Sequence, residues 1–141
     1  METARRAVLF VDLADSTKID GSLGDTAALA LISALFSHFD KIVAKYSGSI
    51  VKTLGDCMLC VFEGPDDGFR AACEMQATGS SLAQGAQHRL QIRIGLACGP
   101  VILVEGDVFG DTMNVCVRLA TLANPEQILA GAIEELEAQL A

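Results

Sequence analysis

The chain has 141 residues, with 18 acidic and 10 basic side chains and a net charge of −8 at neutral pH. This length suits one compact domain with its own core, so we expect a single domain over residues 1–141. The negative charge, and the lack of a basic cluster with interleaved aromatic residues, argue against a nucleic-acid partner.

No apolar run reaches the roughly 18 residues that cross a bilayer, and the first residues lack the long apolar core of a signal peptide. We therefore expect no membrane segment in this chain. The five cysteines, an odd number set mostly inside apolar runs, indicate small core residues and not a disulfide framework. Together these features favour a cytoplasmic location.

The first half of the chain alternates apolar runs with turn residues. AVLFVDL is continuously apolar until its acid, which predicts a strand at about residues 6 to 13 that is covered on both faces. Apolar residues then recur at helical spacing from Leu31 to Tyr46, which predicts a long amphipathic helix that stops at Gly48. SIVKTLGDCMLCVF contains two β-rich runs around Gly55, so it predicts a hairpin with Asp56 at its tip.

The second half predicts two further helices and several strands. The segment from about Asp66 to Ala83 is helical in pattern, and HRLQIRIGLACG predicts a strand because its apolar residues alternate. We expect a hairpin at Gly99 leading into a short strand, VILVEG. A tight turn at Gly110 then opens a helix in DTMNVCVRLATLA, and EQILAG and AIEELEAQLA predict a strand and a helical tail. These elements make an α+β fold with helices packed against a mixed sheet.

Two carboxylates are the first candidates for chemistry. Asp12 ends the first strand and Asp56 lies at the hairpin tip, so the two could meet at one edge of the sheet if those strands are neighbours. Oxygen-only ligands of this kind suit Mg²⁺ or Mn²⁺ and a bound polyphosphate. Asp15-Ser16-Thr17 would then open a short helix with free N–H groups for phosphate. Alternatively, each acid could simply serve a turn or face solvent.

Other common site motifs are missing or weak. The sequence has no GxxxxGK[ST] loop and no GxGxxG after a strand. Cys57 and Cys60 would point to opposite faces of a strand, which disfavours zinc. His38 and His88 fit surface or boundary positions, and no Ser/His/Asp spacing supports a hydrolase triad.

Three segments, in order, resemble the signature segments of one family. FVDLADST, VKTLGDCMLCVF and RIGLACGPVILVEGDVFGDTMNVCVRLATLANPEQIL are similar to those of class III nucleotidyl cyclases, the adenylyl and guanylyl cyclases. The resemblance spans residues 7 to 130, and GDVFGDTMNVCVRL is its most specific part. It implies the ferredoxin-like sandwich of that family. It also implies two Mg²⁺ or Mn²⁺ ions per site, held by Asp12, Asp56 and the backbone carbonyl of Leu13.

The resemblance assigns the remaining site residues to ATP. Lys52 and Asp107 would select the base, Asn114 would orient the ribose, and Arg118 would stabilise the transition state. Lysine is a pure donor and an ionised aspartate a pure acceptor, so the pair matches adenine, whose N1 accepts and whose N6 donates. The implied reaction is attack of the ribose 3′-oxygen on the α-phosphorus, which gives 3′,5′-cyclic AMP and pyrophosphate.

The resemblance also implies a homodimer with shared sites. In this family the metal aspartates come from one subunit and the base, ribose and transition-state residues from its partner, which gives two equivalent sites. The RIGLACGPVILVEG region would contribute to that interface, although its pattern equally fits an interior strand pair. Family members usually continue through a final strand pair bearing a lysine that contacts the triphosphate. We expect this domain to lack that pair, which bears on activity, dimer stability and phosphate affinity.

Two other functions fit parts of the pattern. One is a cyclase-homology module that binds nucleotide or a partner subunit without turnover. The other is a receiver-like phosphoacceptor domain, in which VLFVDL delivers Asp12 to a phosphoryl donor. A receiver-like fold would need five repeated strand–helix units, and hairpins around Gly55 and Gly99 argue against it.

Overall fold

The computed structural model describes residues 2–14, 25–82, 91–124 and 127–132. This part of the chain forms six strands and three helices in the following order: β1 (Glu2–Ala14), α1 (Asp25–Lys45), β2 (Ser49–Leu54), β3 (Cys57–Phe62), α2 (Pro65–Leu82), β4 (Gln91–Val104), β5 (Asp107–Phe109), α3 (Asp111–Leu122) and β6 (Ile128–Ala132). None of the three helices is both long enough and apolar enough to cross a membrane.

Some predictions fall outside this described part of the chain. The short helix at Asp15-Ser16-Thr17 and the loop position of His88 are among them. The predicted helical tail, AIEELEAQLA, also lies outside it except for its first residue, Ala132, which belongs to β6.

One six-stranded sheet organises the fold. Its strands run in the order β2-β3-β1-β4-β5, with β6 alongside β4, and every pair is antiparallel except β4 with β6. The predicted α+β class with a mixed, mainly antiparallel sheet is confirmed, and a parallel receiver-like sheet does not fit. β1 begins at Glu2, earlier than predicted, because it pairs with β4 along its whole length.

The predicted hairpin at Gly99 is wrong. β4 runs without interruption through Gly99 and Pro100, and the hairpin lies at Glu105 and Gly106, whose φ angles are 45° and 81°. The Pro100 carbonyl accepts a hydrogen bond from the Thr112 hydroxyl at 2.7 Å. In an extended strand the backbone nitrogen and carbonyl of one residue point to the same side. The Pro100 nitrogen, which carries no hydrogen, therefore faces away from β1, as its carbonyl does. The strand therefore continues without losing a ladder bond to β1.

Helices cover both faces of the sheet. α1 and α2 pack on one face, where Leu9 and Val11 of β1 join a large apolar core with Leu35 and Phe39 of α1. α3 packs on the other face, where Val8 joins a second cluster. Because side chains alternate along a strand, β1 supplies both cores, and the prediction that it is covered on both faces is confirmed.

The cysteines are all free thiols, but only some of them belong to the core. Cys60 and Cys116 are buried, and burial raises the pKa of the Cys60 thiol to about 12. Cys73 is exposed on α2, which corrects the expectation that the cysteines are mostly core residues. The absence of a disulfide framework is as predicted.

α3 sits unusually close to β4 because of one glycine. A Cβ atom built on Gly95 would collide with the backbone oxygen of Cys116 and would lie 2.5 Å from the backbone nitrogen of Ala120. Both obstacles are backbone atoms, which cannot rotate away as a side chain can. Gly95 therefore fixes the position of the helix that carries Asn114 and Arg118.

We expect Gly95→Ala to lower the free energy of unfolding by about 3 kcal/mol, because the added methyl group must push α3 off the sheet. Denaturant or thermal unfolding measures this. Gly64→Ala is the matched control, since a Cβ there meets nothing within 4 Å, and it should change stability by less than about 0.5 kcal/mol. Equal losses in the two variants would contradict the close approach of helix and strand.

Candidate active site

Asp12, near the end of β1, and Asp56, in the turn that leads into β3, lie close together. Asp12 is directly opposite Cys57 in the β1–β3 pair, and the N–H of Leu13 donates to the carbonyl of Asp56 at 3.2 Å. The hairpin tip is thus held against the end of β1 by a backbone hydrogen bond. The sequence suggested this meeting only on the condition that the strands were neighbours, and β1 and β3 are neighbours.

The Cys57 thiol lies close enough to both aspartates to be affected by their charges. Burial raises the pKa of Cys57, and the charges of Asp56 and then Asp12 raise it further. The thiol donates a hydrogen bond to the carbonyl of Leu54 at 3.1 Å. No cluster of three or more His, Cys, Asp or Glu side chains suited to a metal occurs in the described ranges.

The candidate donors are the carboxylates of Asp12 and Asp56, with the backbone carbonyl of Leu13 that the resemblance adds. Such oxygen-only ligands fit a hard divalent cation that keeps water or takes substrate oxygens for its remaining positions, as Mg²⁺ does. They fit a soft metal poorly. The residues present are thus compatible with the Mg²⁺ or Mn²⁺ that the sequence analysis assigned to Asp12, Leu13 and Asp56.

Arg93 is a charged neighbour of this pair that the sequence analysis missed. It faces Asp12 across the β1–β4 pair, and its Nη2 lies 2.6 Å from Asp12 Oδ2. The two side chains are only 27% and 20% exposed. The sequence does show a single arginine between Ile92 and Ile94. It could not show the partner of that arginine, because Asp12 lies 81 residues away in the chain.

Lys52 and Asp107 meet although they lie on opposite edges of the sheet. The strand order separates β2 from β5, yet Lys52 Nζ is 3.4 Å from Asp107 Oδ1 because the two edge strands approach each other. Asp107 Oδ1 also accepts the N–H of Val108 at 2.8 Å. A β-bulge between Ile50 and Lys52 shifts the register of β2 at this point. The structure thus brings together the two residues assigned to base selection.

A small cavity of about 120 Å³ opens beside Lys52. Its other walls are almost entirely apolar and come from four elements, β1, β2, β3 and α3: Phe10, Leu54, Cys57, Met58, Leu59, Met113 and Val117. A flat, largely apolar group with one or two polar edge atoms is the kind of ligand such a cavity suits.

Asn114 and Arg118 lie one turn apart on the exposed side of α3. Thr112, Cys116 and Ala120 form the buried side of the same helix. Asn114 and Arg118 are each displaced by two positions from that buried row, which places them on the opposite side. They therefore point away from the body of their own chain, next to the cavity residues Met113 and Val117.

The predicted site residues thus form three separate pairs. Asp12 adjoins Asp56, Lys52 contacts Asp107, and Asn114 shares a helix face with Arg118. The first two pairs each form through tertiary contacts, and the third is exposed.

Comparisons with known proteins connect these features to one family. The chain matches the family model of the adenylate and guanylate cyclase catalytic domain over residues 2–132. It is 31% identical over 129 residues to an adenylate cyclase of Streptomyces coelicolor, a match that covers 92% of this chain and 33% of that relative. The chain spans about a third of the length of the bacterial relatives that it matches.

Solved structures share the fold. The adenylyl cyclase CyaB from P. aeruginosa aligns with a TM-score of 0.79 at 25% identity, covering 92% of this chain and 79% of that one. The catalytic core of a rhodopsin-guanylyl cyclase with converted specificity, in complex with ATPαS, aligns with a TM-score of 0.78 at 27% identity, covering 90% of this chain and 78% of the other.

Proposed function

The chain belongs to the adenylate and guanylate cyclase catalytic domain family, and on that premise we propose that it converts ATP to 3′,5′-cyclic AMP and pyrophosphate. The observation that carries the choice of ATP is the contact between Lys52 and Asp107 at 3.4 Å, beside an apolar cavity. The adenylate cyclase of Streptomyces coelicolor at 31% identity supports the same choice.

Lys52, which lines the cavity, presents a donor next to the acceptor Asp107. Adenine offers the complementary pattern, with an acceptor at N1 and a donor at N6, whereas guanine offers a donor at N1 and an acceptor at O6. In the orientation with Lys52 at N1 and Asp107 at position 6, guanine would leave polar groups unpaired on both sides, at a cost of roughly 1 to 3 kcal/mol each. Both side chains are about 40% exposed, and their ion pair at 3.4 Å is easily exchanged for contacts to a base.

Asp12 and Asp56 would hold the divalent metal ions. When bound, the metals lower the pKa of the ribose 3′-hydroxyl and neutralise charge on the departing pyrophosphate. The two carboxylates would hold these ions near the end of β1, where the hydrogen bond from Leu13 to the Asp56 carbonyl holds the hairpin tip in place. The backbone carbonyl of Leu13 is proposed as a further ligand.

Asn114 and Arg118 would act on a nucleotide held between two copies of the chain. Arg118 is permanently charged and can stabilise negative charge that develops on the α-phosphoryl oxygens. Asn114, one turn earlier, can hold the ribose. Both side chains are exposed and point away from their own chain. In a homodimer with shared sites they would contact a nucleotide whose metal ions are bound by the other chain.

A module that binds nucleotide or a partner without turnover is the second candidate. One observation favours it: Asp12 is already paired with Arg93 and Lys52 with Asp107, so these four charges are matched within the isolated chain. The two candidates differ in whether product forms.

The test is incubation of the purified chain with ATP or GTP and Mn²⁺, followed by chromatography of the nucleotides and a pyrophosphate assay. We expect cyclic AMP and pyrophosphate in equal amounts from ATP, at least about tenfold less cyclic GMP from GTP, and no product with chelator. Nucleotide binding without product, in a chain that is dimeric by sizing, would support the module instead.

Base selection can be tested with a double variant. Replacing Lys52→Glu and Asp107→Ser reverses the donor and acceptor pattern, because a carboxylate accepts from guanine N1–H and a hydroxyl can donate to O6. We expect the ratio of kcat/KM for ATP to that for GTP to fall by about a hundredfold. Lys41→Gln, at an exposed α1 position on the far side of the sheet, is the charge-matched control, because it also lowers the net charge by one. An unchanged ratio would refute the assignment of these two residues.

A further inference from the structure

Arg93 forms an ion pair with Asp12, the carboxylate that the proposed function assigns to metal binding. Asp12 and Arg93 are directly opposite each other in the β1–β4 pair, so their side chains leave the sheet on the same face. Their Nη2–Oδ2 distance is 2.6 Å, and about three quarters or more of each side chain is shielded from solvent. A shielded, charge-assisted hydrogen bond of this length is stronger than an ordinary surface ion pair.

Beyond its contact with Asp12, the Arg93 guanidinium has a further acceptor for one nitrogen but none for another. Its Nη1 lies 3.4 Å from the carbonyl oxygen of Thr121, in the last turn of α3, where the helix dipole favours a cation. Its Nε is buried and has no hydrogen-bond partner among the described residues. A buried donor without an acceptor is unfavourable. The ion pair with Asp12 therefore holds Arg93 in a place that does not satisfy all of its donors.

We infer that Arg93 is a counter-ion latch: it holds Asp12 in the metal-free protein, and a divalent cation must displace it from Oδ2 to bind there. A guanidinium and a metal ion cannot both sit against one carboxylate oxygen without strong repulsion. Metal binding therefore includes movement of Arg93. Arg93 is a positioning residue in this inference, because it acts through Asp12.

The inference rests on the proposed metal role of Asp12, and it differs from a purely structural reading. If the pair only joined two strands, removing Arg93 would weaken the fold, and metal affinity would change only through the loss of one nearby charge, which Arg93→Lys keeps. If the pair is a latch, removing Arg93 strengthens metal binding even though the fold loses a contact. The two readings thus predict the same loss of stability but different metal affinities, above all for Arg93→Lys.

The experiment is a Mn²⁺ titration of the nucleotide-free chain, followed by the electron paramagnetic resonance signal of free Mn²⁺. We expect Arg93→Gln to lower the Kd for Mn²⁺ by about tenfold, because one charge-assisted hydrogen bond no longer competes. Arg93→Lys should fall between this variant and the wild type, since it keeps the charge but loses the planar fork. Arg70→Gln, which removes one exposed charge from α2 across the sheet, should change Kd by less than about twofold.

Three results would overturn the inference. A Kd for Arg93→Gln within about twofold of the wild type is one, and Arg93→Lys equal to the wild type is another, because charge alone would then explain any gain. If Asp12→Asn binds Mn²⁺ as well as the wild type, the proposed metal role is itself wrong. Weakened binding in Asp12→Asn without a gain in Arg93→Gln rejects the latch alone.

A measurement on the wild type covers the case in which the Arg93 variants do not fold. ¹⁵N spectra of the arginine guanidinium groups can be followed during Mg²⁺ titration. We expect the Arg93 resonances, assigned by their loss in any folded Arg93 variant or by through-bond correlation, to shift in step with metal binding. Unchanged Arg93 resonances at saturation would overturn the latch.

Discussion

Asp56→Ala should reduce the rate of cyclic AMP formation by about a thousandfold or more, while the protein remains folded. The reason is that the metal ions supply several kcal/mol of charge stabilisation in the transition state, and about 4 kcal/mol corresponds to a thousandfold in rate. Asp12→Asn should have a similar effect. The readouts are a steady-state assay with ATP and Mn²⁺ and a circular dichroism melt of each variant.

The choice of substitution at Asp12 follows from its contact with Arg93. Asp12→Ala would leave the mostly shielded Arg93 guanidinium without its partner, which lowers the stability of the fold. A fall in activity could then come from unfolding as well as from loss of metal binding. The asparagine variant keeps the size and one acceptor oxygen. Asp40→Ala, at an exposed position on α1, is the matched control and should retain activity. Full activity in Asp56→Ala, at metal concentrations near the wild-type requirement, would refute the metal assignment.

Mixing two inactive variants should restore about a quarter of the wild-type activity. If each site takes its metal ligands from one chain and its base-selecting residues from the other, a dimer of Asp56→Ala with Lys52→Ala has one intact site, and both defects fall in the other. Random exchange makes half of the dimers mixed, and each has one of two sites working. The measurement is cyclic AMP production by the mixture after subunit exchange, confirmed by sizing with tagged chains.

The complementary control is a single chain that carries both substitutions. Mixed with the wild type, it should inhibit, because each mixed dimer then has one defect in each of its two sites. At equal amounts, only about a quarter of the dimers should keep activity, compared with half without exchange. If each site were built within one chain, the two single variants would not rescue each other and the double variant would not inhibit. That outcome, with exchange demonstrated, would reject the shared site.

Local sequence pattern was sufficient for most of the secondary structure. The hairpin at Gly55 and the amphipathic α3 helix were predicted because turn chemistry and apolar spacing act within a few residues. The meeting of Asp12 with Asp56 was anticipated only as one possibility. The break predicted at Gly99 failed because Gly-Pro usually marks a turn, and only the contact of Pro100 with Thr112 and the long pairing with β1 keep the strand continuous.

The sequence by itself determined most of the elements, the fold class and, through family resemblance, which residues to examine. Only the tertiary structure decided which charges meet. Arg93 reaches Asp12 from 81 residues away, and Lys52 reaches Asp107 from the opposite edge of the sheet. The physical reason is that a strand's own pattern shows which face a side chain occupies but not which strand lies beside it. Strand order and sheet curvature come from packing of the whole domain, so contacts between distant charges appear only once the sheet is assembled.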